Sequence, residues 1–257
     1  MISNLAYIHP KAKIAENVTI EPFASVYADV EIGSGTWIGP NAVIMDGSRI
    51  GQNNKIFPGA VVGAVPQDLK YKGEPSLAEI GNNCVIRECV TINRGTEDRM
   101  TTKMGDNCLI MAYVHLAHDC ILGNGIILAN SVGLSGHINI EDFAIIEGMA
   151  GAQQFITIGK HTFVGGASQI RKSIPPYIRA AREPVQYIGV NSVGLSRRGF
   201  SKETIRHIED IYRIIFVRGL GMTRALEAVE SEIEDTPYRR EIVDFIRAQK
   251  DGIIKGI

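Results

Sequence analysis

The sequence predicts a mainly β fold: a triangular parallel β-helix of six-residue repeats, three hexads to the coil, followed by a small α-helical C-terminal domain. Three observations carry this expectation. Aliphatic residues recur at every sixth position through two thirds of the chain, turn-tolerant residues recur at fixed offsets from them, and the hydrophobic period becomes helical after Pro175-Pro176.

The register begins at Ile8 and runs through Ile14, Ile20, Val26, Ile32, Ile38, Ile44, Ile50, Ile56 and Val62 without a break. It returns at Ile80, Ile86 and Ile92, and again from Met104 through Ile110, Leu116, Leu122, Leu128, Leu134, Ile140, Ile146, Ala152, Ile158 and Val164 to Ile170. Of these 25 positions 23 are Ile, Val or Leu, which makes the pattern a repeat and not an accident of composition. Two residues before the anchors stands a second, often small set that includes Ala12, Val18, Ala24, Val30, Thr36, Ala42, Ser48, Ala60, Cys84, Cys108 and Cys120. Alternation at i and i−2 is strand-like, so each hexad supplies one short strand with both residues turned inward. Glycine often follows the anchor, as at Gly33, Gly39, Gly51 and Gly81, and Asn, Asp or Gly often lies three after it, as at Asn17, Asp29, Gly35, Asn41, Gly47, Asn53 and Asn107. These residues accept tight turns and positive φ, so each strand ends in a corner. The signature resembles that of the hexapeptide-repeat superfamily, which implies a left-handed parallel β-helix; the pattern alone gives only the period.

Two polar segments interrupt the register, one from about residue 64 to 79 and one from about 93 to 103, and both should loop out of the prism. The expected boundaries are a β-helix over residues 1–185 and a helical domain over 186–257. In the latter Ser201 can cap a helix whose Ile205, Ile208, Tyr212 and Ile215 share a face; a second covers Thr223 to Glu234; Thr236-Pro237 opens a third with Ile242, Phe245 and Ile246.

Composition narrows the function. Over 257 residues, 27 basic side chains stand against 28 acidic ones, which gives no electrostatic case for nucleic acid or an anionic membrane as the main partner. No run of about 18 apolar residues is present, so no membrane span is expected. The N-terminus, Met1-Ile2-Ser3-Asn4-Leu5, lacks the basic stretch and apolar core of a secretory signal. Four irregularly spaced cysteines make neither a disulfide scaffold nor a zinc knuckle, and a reducing cytoplasm fits them best.

In a coil of three hexads, residues 18 apart sit above one another at about 4.8 Å, one strand spacing. His118 then stacks under Gly136 and Gln154, Asp119 under His137, and His115 under Gly133. All three histidines are outward, near a corner. Isolated outward histidines are ordinary solvated surface, but here an imidazole, a carboxylate and a bare glycine amide converge. His118 can take a proton, a neighbouring acid can fix its tautomer, and the Gly136 amide can face a developing oxyanion. That is a general-base acyl-transfer constellation, and the lack of a Ser or Cys in the same stacks argues for direct attack by a substrate hydroxyl. Zinc held by His115 and His118, with His137 or His161 as third ligand, is the competing reading, as in the zinc-dependent carbonic anhydrases of the superfamily. A non-catalytic trimeric scaffold is the third.

The segments Gln67-Asp68-Leu69-Lys70-Tyr71, His115-Leu116-Ala117-His118-Asp119-Cys120, Gly136-His137, and Gly189-Val190-Asn191 through Arg197-Arg198-Gly199-Phe200-Ser201 resemble those of the UDP-N-acetylglucosamine O-acyltransferases of lipid A biosynthesis, over nearly the whole chain. The resemblance implies transfer of a 3-hydroxyacyl group from acyl carrier protein to the glucosamine 3-hydroxyl of UDP-N-acetylglucosamine, by a homotrimer with sites between neighbouring prisms and no cofactor or metal. It makes His118 the base, Asp119 its acid partner and Gly136 the oxyanion amide. It puts Asp68 and Lys70 on a loop that reaches the sugar or the thioester, though Asp68 as a simple turn cap stays open. It places His115, His137 and Gln154 on the sugar and phosphate side, and Asn191, Arg197 and Arg198 on nucleotide diphosphate or the pantetheine arm. Gly166 matches the acyl-length stop, and a glycine there implies a long chain. Gln153 stands where better-known members carry a histidine, and Val193 where some carry an acid. Arg239, Arg240, Arg247 and Lys250 either meet the acidic carrier protein or form a solvated helix face.

Overall fold

The computed structural model describes residues 1–256. Twenty-seven short strands, most of two residues, wind into three sheets that form the faces of a prism, every pairing parallel except that of the last strand. Face I has nine strands, from Tyr7–Ile8 to Gln169–Ile170; face II has eight, from Lys13–Ile14 to Thr157–Ile158; face III begins at Thr19–Ile20. The architecture is a left-handed parallel β-helix. Every anchor from Ile20 to Ile170 is buried, so one aliphatic per face per coil forms a continuous core. Cys84, Cys108 and Cys120 fill that core as small side chains, while Cys89 is exposed. Asn17, Gly35, Asn41, Gly47, Asn53 and Asn107 adopt positive φ at corners, and Asp29 does not.

Pairing partners lie three hexads apart in ordinary coils, as Val26 and Ile44 do. The spacing stretches to five hexads between Val62 and Ile92, and to four between Ile92 and Leu116. The chain therefore gains two hexads and then one, and the repeat frame passes through both loops unshifted. The loops run over residues 65–76 and 94–100, slightly shorter than the segments expected from sequence, because Leu77–Ile80 and Thr101–Met104 pair along their whole length. The frame positions they skip are Asp68, Glu74 and Asp98. An unpaired carboxylate has no place in an apolar core, so acids at anchor positions require the chain to leave the prism there.

Past Ile170 the sequence showed no further strand, and the structure corrects this. Ile178–Ala181 adds a parallel strand to face III in a coil that falls short of three hexads, pairing Val164 with Ala180, and Gln186–Val190 returns antiparallel to it. The shortened coil breaks the repeat frame, which hid these strands. Four helices follow: α1 (Ser192–Arg197), α2 (Lys202–Phe216), α3 (Met222–Glu232) and α4 (Pro237–Ala248). Ser201 and Thr236 cap α2 and α4 through their side chains, accepting from the Thr204 and Arg239 amides. The short α1, capped by Asn191, went unread because so few residues carry too little periodicity.

The helices close the C-terminal end of the prism through aromatics. Phe143, His161 and Tyr177 stack, with ring centroids 5.1 and 5.6 Å apart, and Phe200 meets His161 edge-on. Tyr212 donates to Pro176 O at 2.6 Å, and Tyr177 to Glu241 Oε2 at 3.0 Å. Burial, helped by the charges of Arg198 and Lys160, pushes the His161 pKa down to about 4. The unfolded imidazole titrates near 6.5, so as pH falls from about 6.5 to 4 the unfolded chain binds a proton that the folded chain refuses. Stability present above that window is lost across it, by up to roughly 3 kcal/mol. His161→Phe, which keeps the stack, is expected to flatten the fall of melting temperature between pH 6.5 and 4; a profile parallel to the wild type would contradict this account.

Candidate active site

A groove of about 490 Å³ runs along face I and ends at the corner between faces I and II. Outward positions 115, 133, 151 and 169 form its floor, in the register His115, Gly133, Gly151, Gln169. Two bare glycines between larger side chains are what hollow it. The rim carries Gln67, His118, Gly136, Gln153, Gln154 and Arg171.

His118 and His137 point away from the prism as the stacking predicts, yet each is only 5% exposed, and Asp119 is fully buried. Outward is not solvated here, because the two loops fold back over this corner. Ser76 Oγ donates to Gly95 O, tying one loop to the other, and Arg94 Nη1 donates to Asp46 O at 2.9 Å. Arg99 Nη1 reaches both Asp119 O and Asn139 Oδ1 at 2.9 Å.

His118 Nδ1 lies 2.8 Å from Asp119 Oδ2. The same carboxylate accepts from the Thr96 amide at 3.0 Å and the Thr96 hydroxyl at 2.6 Å. A group with donors on both oxygens is an anion, so the shared proton sits on His118 Nδ1 and leaves Nε2 as an acceptor at the groove. Burial alone would raise the Asp119 pKa; the hydrogen bonds from Thr96 and His118 outweigh it and hold the carboxyl below its usual range. A Cβ on Gly136 would come within 2.5 Å of the His118 ring, so only glycine lets the imidazole lie against that backbone. Among the described residues the Gly136 amide donates to no backbone acceptor.

The corner holds a line of alternating acids and imidazoles. Asp98 Oδ2 is 3.1 Å from His137 Nδ1, His137 Nε2 is 3.7 Å from Asp119 Oδ2, and His118 Nε2 is 3.6 Å from Asp68 Oδ2. The 3.1 Å contact lacks hydrogen-bond alignment, so it is an electrostatic approach only. Burial keeps the His137 pKa below its ordinary value despite both acids. Asp68 caps the turn, its Oδ1 accepting from the Lys70 amide at 2.9 Å, while Oδ2 faces His118 Nε2. The Lys70 amide, with the Lys70 charge, holds Asp68 below the usual carboxylate range. The Lys70 ammonium is 3.7 Å from Asp68 and otherwise exposed.

His118, Asp119 and His137 bring potential ligand atoms within 4.8 Å of one another, so this trio could meet a cation. The ligand set of the competing zinc reading is not assembled. His115 Nδ1 is bonded to Thr91 Oγ1 at 2.7 Å, His161 is stacked at another corner, and the Asp119 lone pairs are taken by Thr96 and His118.

Gln154 and Gln153 lie on the groove rim. Asn191, Arg197 and Arg198 do not line it. Asn191 Nδ2 donates to His161 O at 2.9 Å, Arg198 lies 5.2 Å from the centre of the Phe143 ring, and Arg197 shares a separate hollow with Val193 and Arg206. Gly166, at the corner between faces III and I, donates to Glu147 Oε2 at 3.1 Å. Arg239, Arg240 and Arg247 are paired with Asp235 or Glu230 of this chain. Sequence reasoning missed Thr96, Asp98, Gln169 and Arg171. A signal for Asp98 was present, an acid in the anchor frame.

The repeated coil and the His118 corner define a hexapeptide-repeat transferase: residues 11–44, 29–64 and 101–136 each match the bacterial transferase hexapeptide family. Residues 174–254 match the family described as UDP-N-acetylglucosamine O-acyltransferase, domain 2. The chain is 43% identical to the acyl-(acyl-carrier-protein)–UDP-N-acetylglucosamine O-acyltransferase of Janthinobacterium sp. (strain Marseille), over 99% of each chain. It superimposes on LpxA, a UDP-N-acetylglucosamine acyltransferase from Bacteroides fragilis 9343, with a TM-score of 0.98 at 52% identity, covering 99% of this chain and 100% of that one. LpxA from Acinetobacter baumannii gives 0.95 at 42%, over 99% of each. The chain belongs to the UDP-N-acetylglucosamine O-acyltransferase family.

A Cβ at Gly133 would meet nothing within 4 Å. Gly133→Val is therefore expected to leave the unfolding free energy within about 0.5 kcal/mol of wild type while filling the groove floor and lowering kcat/KM at least about tenfold. Full activity with valine there would show that substrate does not use this floor.

Proposed function

We propose that this chain transfers a long-chain (R)-3-hydroxyacyl group from the thioester of acyl carrier protein to the 3-hydroxyl of UDP-N-acetylglucosamine, the first step of lipid A biosynthesis. The observation that carries the reading is the His118–Asp119 pair at 2.8 Å, set against bare Gly136 at the end of an open groove. Membership of the family over the full chain supplies the substrates.

In this reading His118 Nε2 accepts the proton of the sugar 3-hydroxyl as that oxygen attacks the thioester carbonyl. The Gly136 amide donates to the oxyanion of the tetrahedral intermediate. Collapse breaks the carbon–sulfur bond, and the imidazolium returns the proton to the departing pantetheine thiolate, giving thiol and ester. Asp119 steadies the imidazolium. The sequence of steps is closed in atoms and charge without a metal or other cofactor.

Asp68 and Lys70, beside His118, bind at the sugar or thioester, and His115, His137 and Gln154 take the sugar and phosphate side. The groove is open along its length, and Asn191, Arg197 and Arg198 lie elsewhere on their own chain. A homotrimer would let a neighbour bring these to nucleotide diphosphate or the pantetheine arm. Free thiols at all four cysteines suit a reducing cytoplasm, and no helix of the described residues is long and apolar enough to cross a membrane.

The test is acyl transfer from a panel of 3-hydroxyacyl carrier proteins to labelled UDP-N-acetylglucosamine. Wild type should give product and His118→Ala should lose roughly 10²–10⁴-fold in kcat with its fold intact; equal product from both would remove His118 from the chemistry, and product from neither would return the chain to a scaffold role. Gly166→Met should move the preferred donor to shorter chains, and an unchanged long-chain preference would show that Gly166 does not set the length.

A further inference from the structure

We propose that Thr96 is a positioning residue for this acyl transfer: its hydroxyl and its amide together orient the Asp119 carboxylate toward His118. The proposal rests on the reading of His118 as the general base.

Asp119 stands at a corner with φ of 61°, a left-handed conformation shared with the asparagines and glycines of other coils. Its side chain leaves the prism there, where no core packing fixes it. The 94–100 loop supplies what the prism does not. The Thr96 amide takes Oδ1 and the Thr96 hydroxyl takes Oδ2, the oxygen that also faces His118 Nδ1. The Asp98 amide approaches Thr96 Oγ1 at 3.4 Å, which leaves the hydroxyl proton free to point at the carboxylate. The Thr96 carbonyl accepts from Met100 at 2.7 Å, and the Gly95 amide donates to Leu77 O at 3.0 Å, so the loop backbone is anchored independently of the hydroxyl. With its hydrogen bonds from Thr96 removed, a buried carboxylate would be both freer to rotate and less well compensated.

The experiment uses the full-length enzyme and five variants: Thr96→Val, Thr96→Ser, Asp119→Ala, the double variant Thr96→Val with Asp119→Ala, and His118→Ala. Thr96→Val should lower kcat roughly 10- to 100-fold with KM for UDP-N-acetylglucosamine within about twofold of wild type. Thr96→Ser, which keeps the donor, should restore kcat to within about threefold. In the Asp119→Ala background the valine should cost nothing further, because Thr96 acts only through that carboxylate. Wild-type kcat for Thr96→Val, or the same loss in both backgrounds, would overturn the proposal while an inactive His118→Ala leaves the base assignment standing. An active His118→Ala would instead overturn the base assignment and this proposal with it. Where valine crowds the loop and lowers the melting temperature, Thr96→Ala reads the same comparison.

Discussion

Each coil closes because one aliphatic side chain per face turns inward and packs on the same position in the coils before and after it. That contact ties the backbone to a period of six, and much else in the molecule is a consequence. Strands cannot exceed a few residues, corners must accept positive φ, and added chain must come in whole hexads if the coils beyond it are to keep their aliphatics inside. The loops at 65–76 and 94–100 satisfy this by adding two hexads and one. Only at the C-terminal end, where Val164 pairs with Ala180, does the frame slip, and there helices and stacked aromatics take over from the prism.

The His118 corner is built from the same parts. His118, Asp119 and His137 occupy outward and corner positions that in other coils hold turn residues, so the prism places them without spending core. What it does not provide is enclosure. Enclosure comes from the two loops, which bring Asp68 and Asp98 to the two imidazoles and Thr96 to the carboxylate between them. The prism fixes where the imidazoles are, and the loops decide how dry and how charged their surroundings become.

The prism, its loops and three of the four helices were legible because each rests on a period or a cap that side-chain chemistry imposes. The stacking of His118 on Gly136 and of Asp119 on His137 followed from arithmetic in the same way. The last two strands were not legible, since a coil shorter than three hexads leaves no trace of the repeat. Nor was the burial of His118 and His137: it depends on where the loops land, which contacts such as Ser76 with Gly95 determine and no local pattern announces. Thr96 could not be found from sequence at all, because a threonine in a polar loop looks the same whether or not it meets a carboxylate. The separation of Arg197 and Arg198 from the groove was equally invisible, since motif likeness carries no information about where a residue lies relative to the groove of its own chain.

Carboxyl groups outnumber imidazoles three to two along the line from Asp98 to Asp68. The two imidazoles are therefore flanked by fixed carboxylates before anything enters the groove. Asp98 enters that line from one loop and Asp68 from the other, so the excess of negative charge at the corner exists only while both loops lie against the prism.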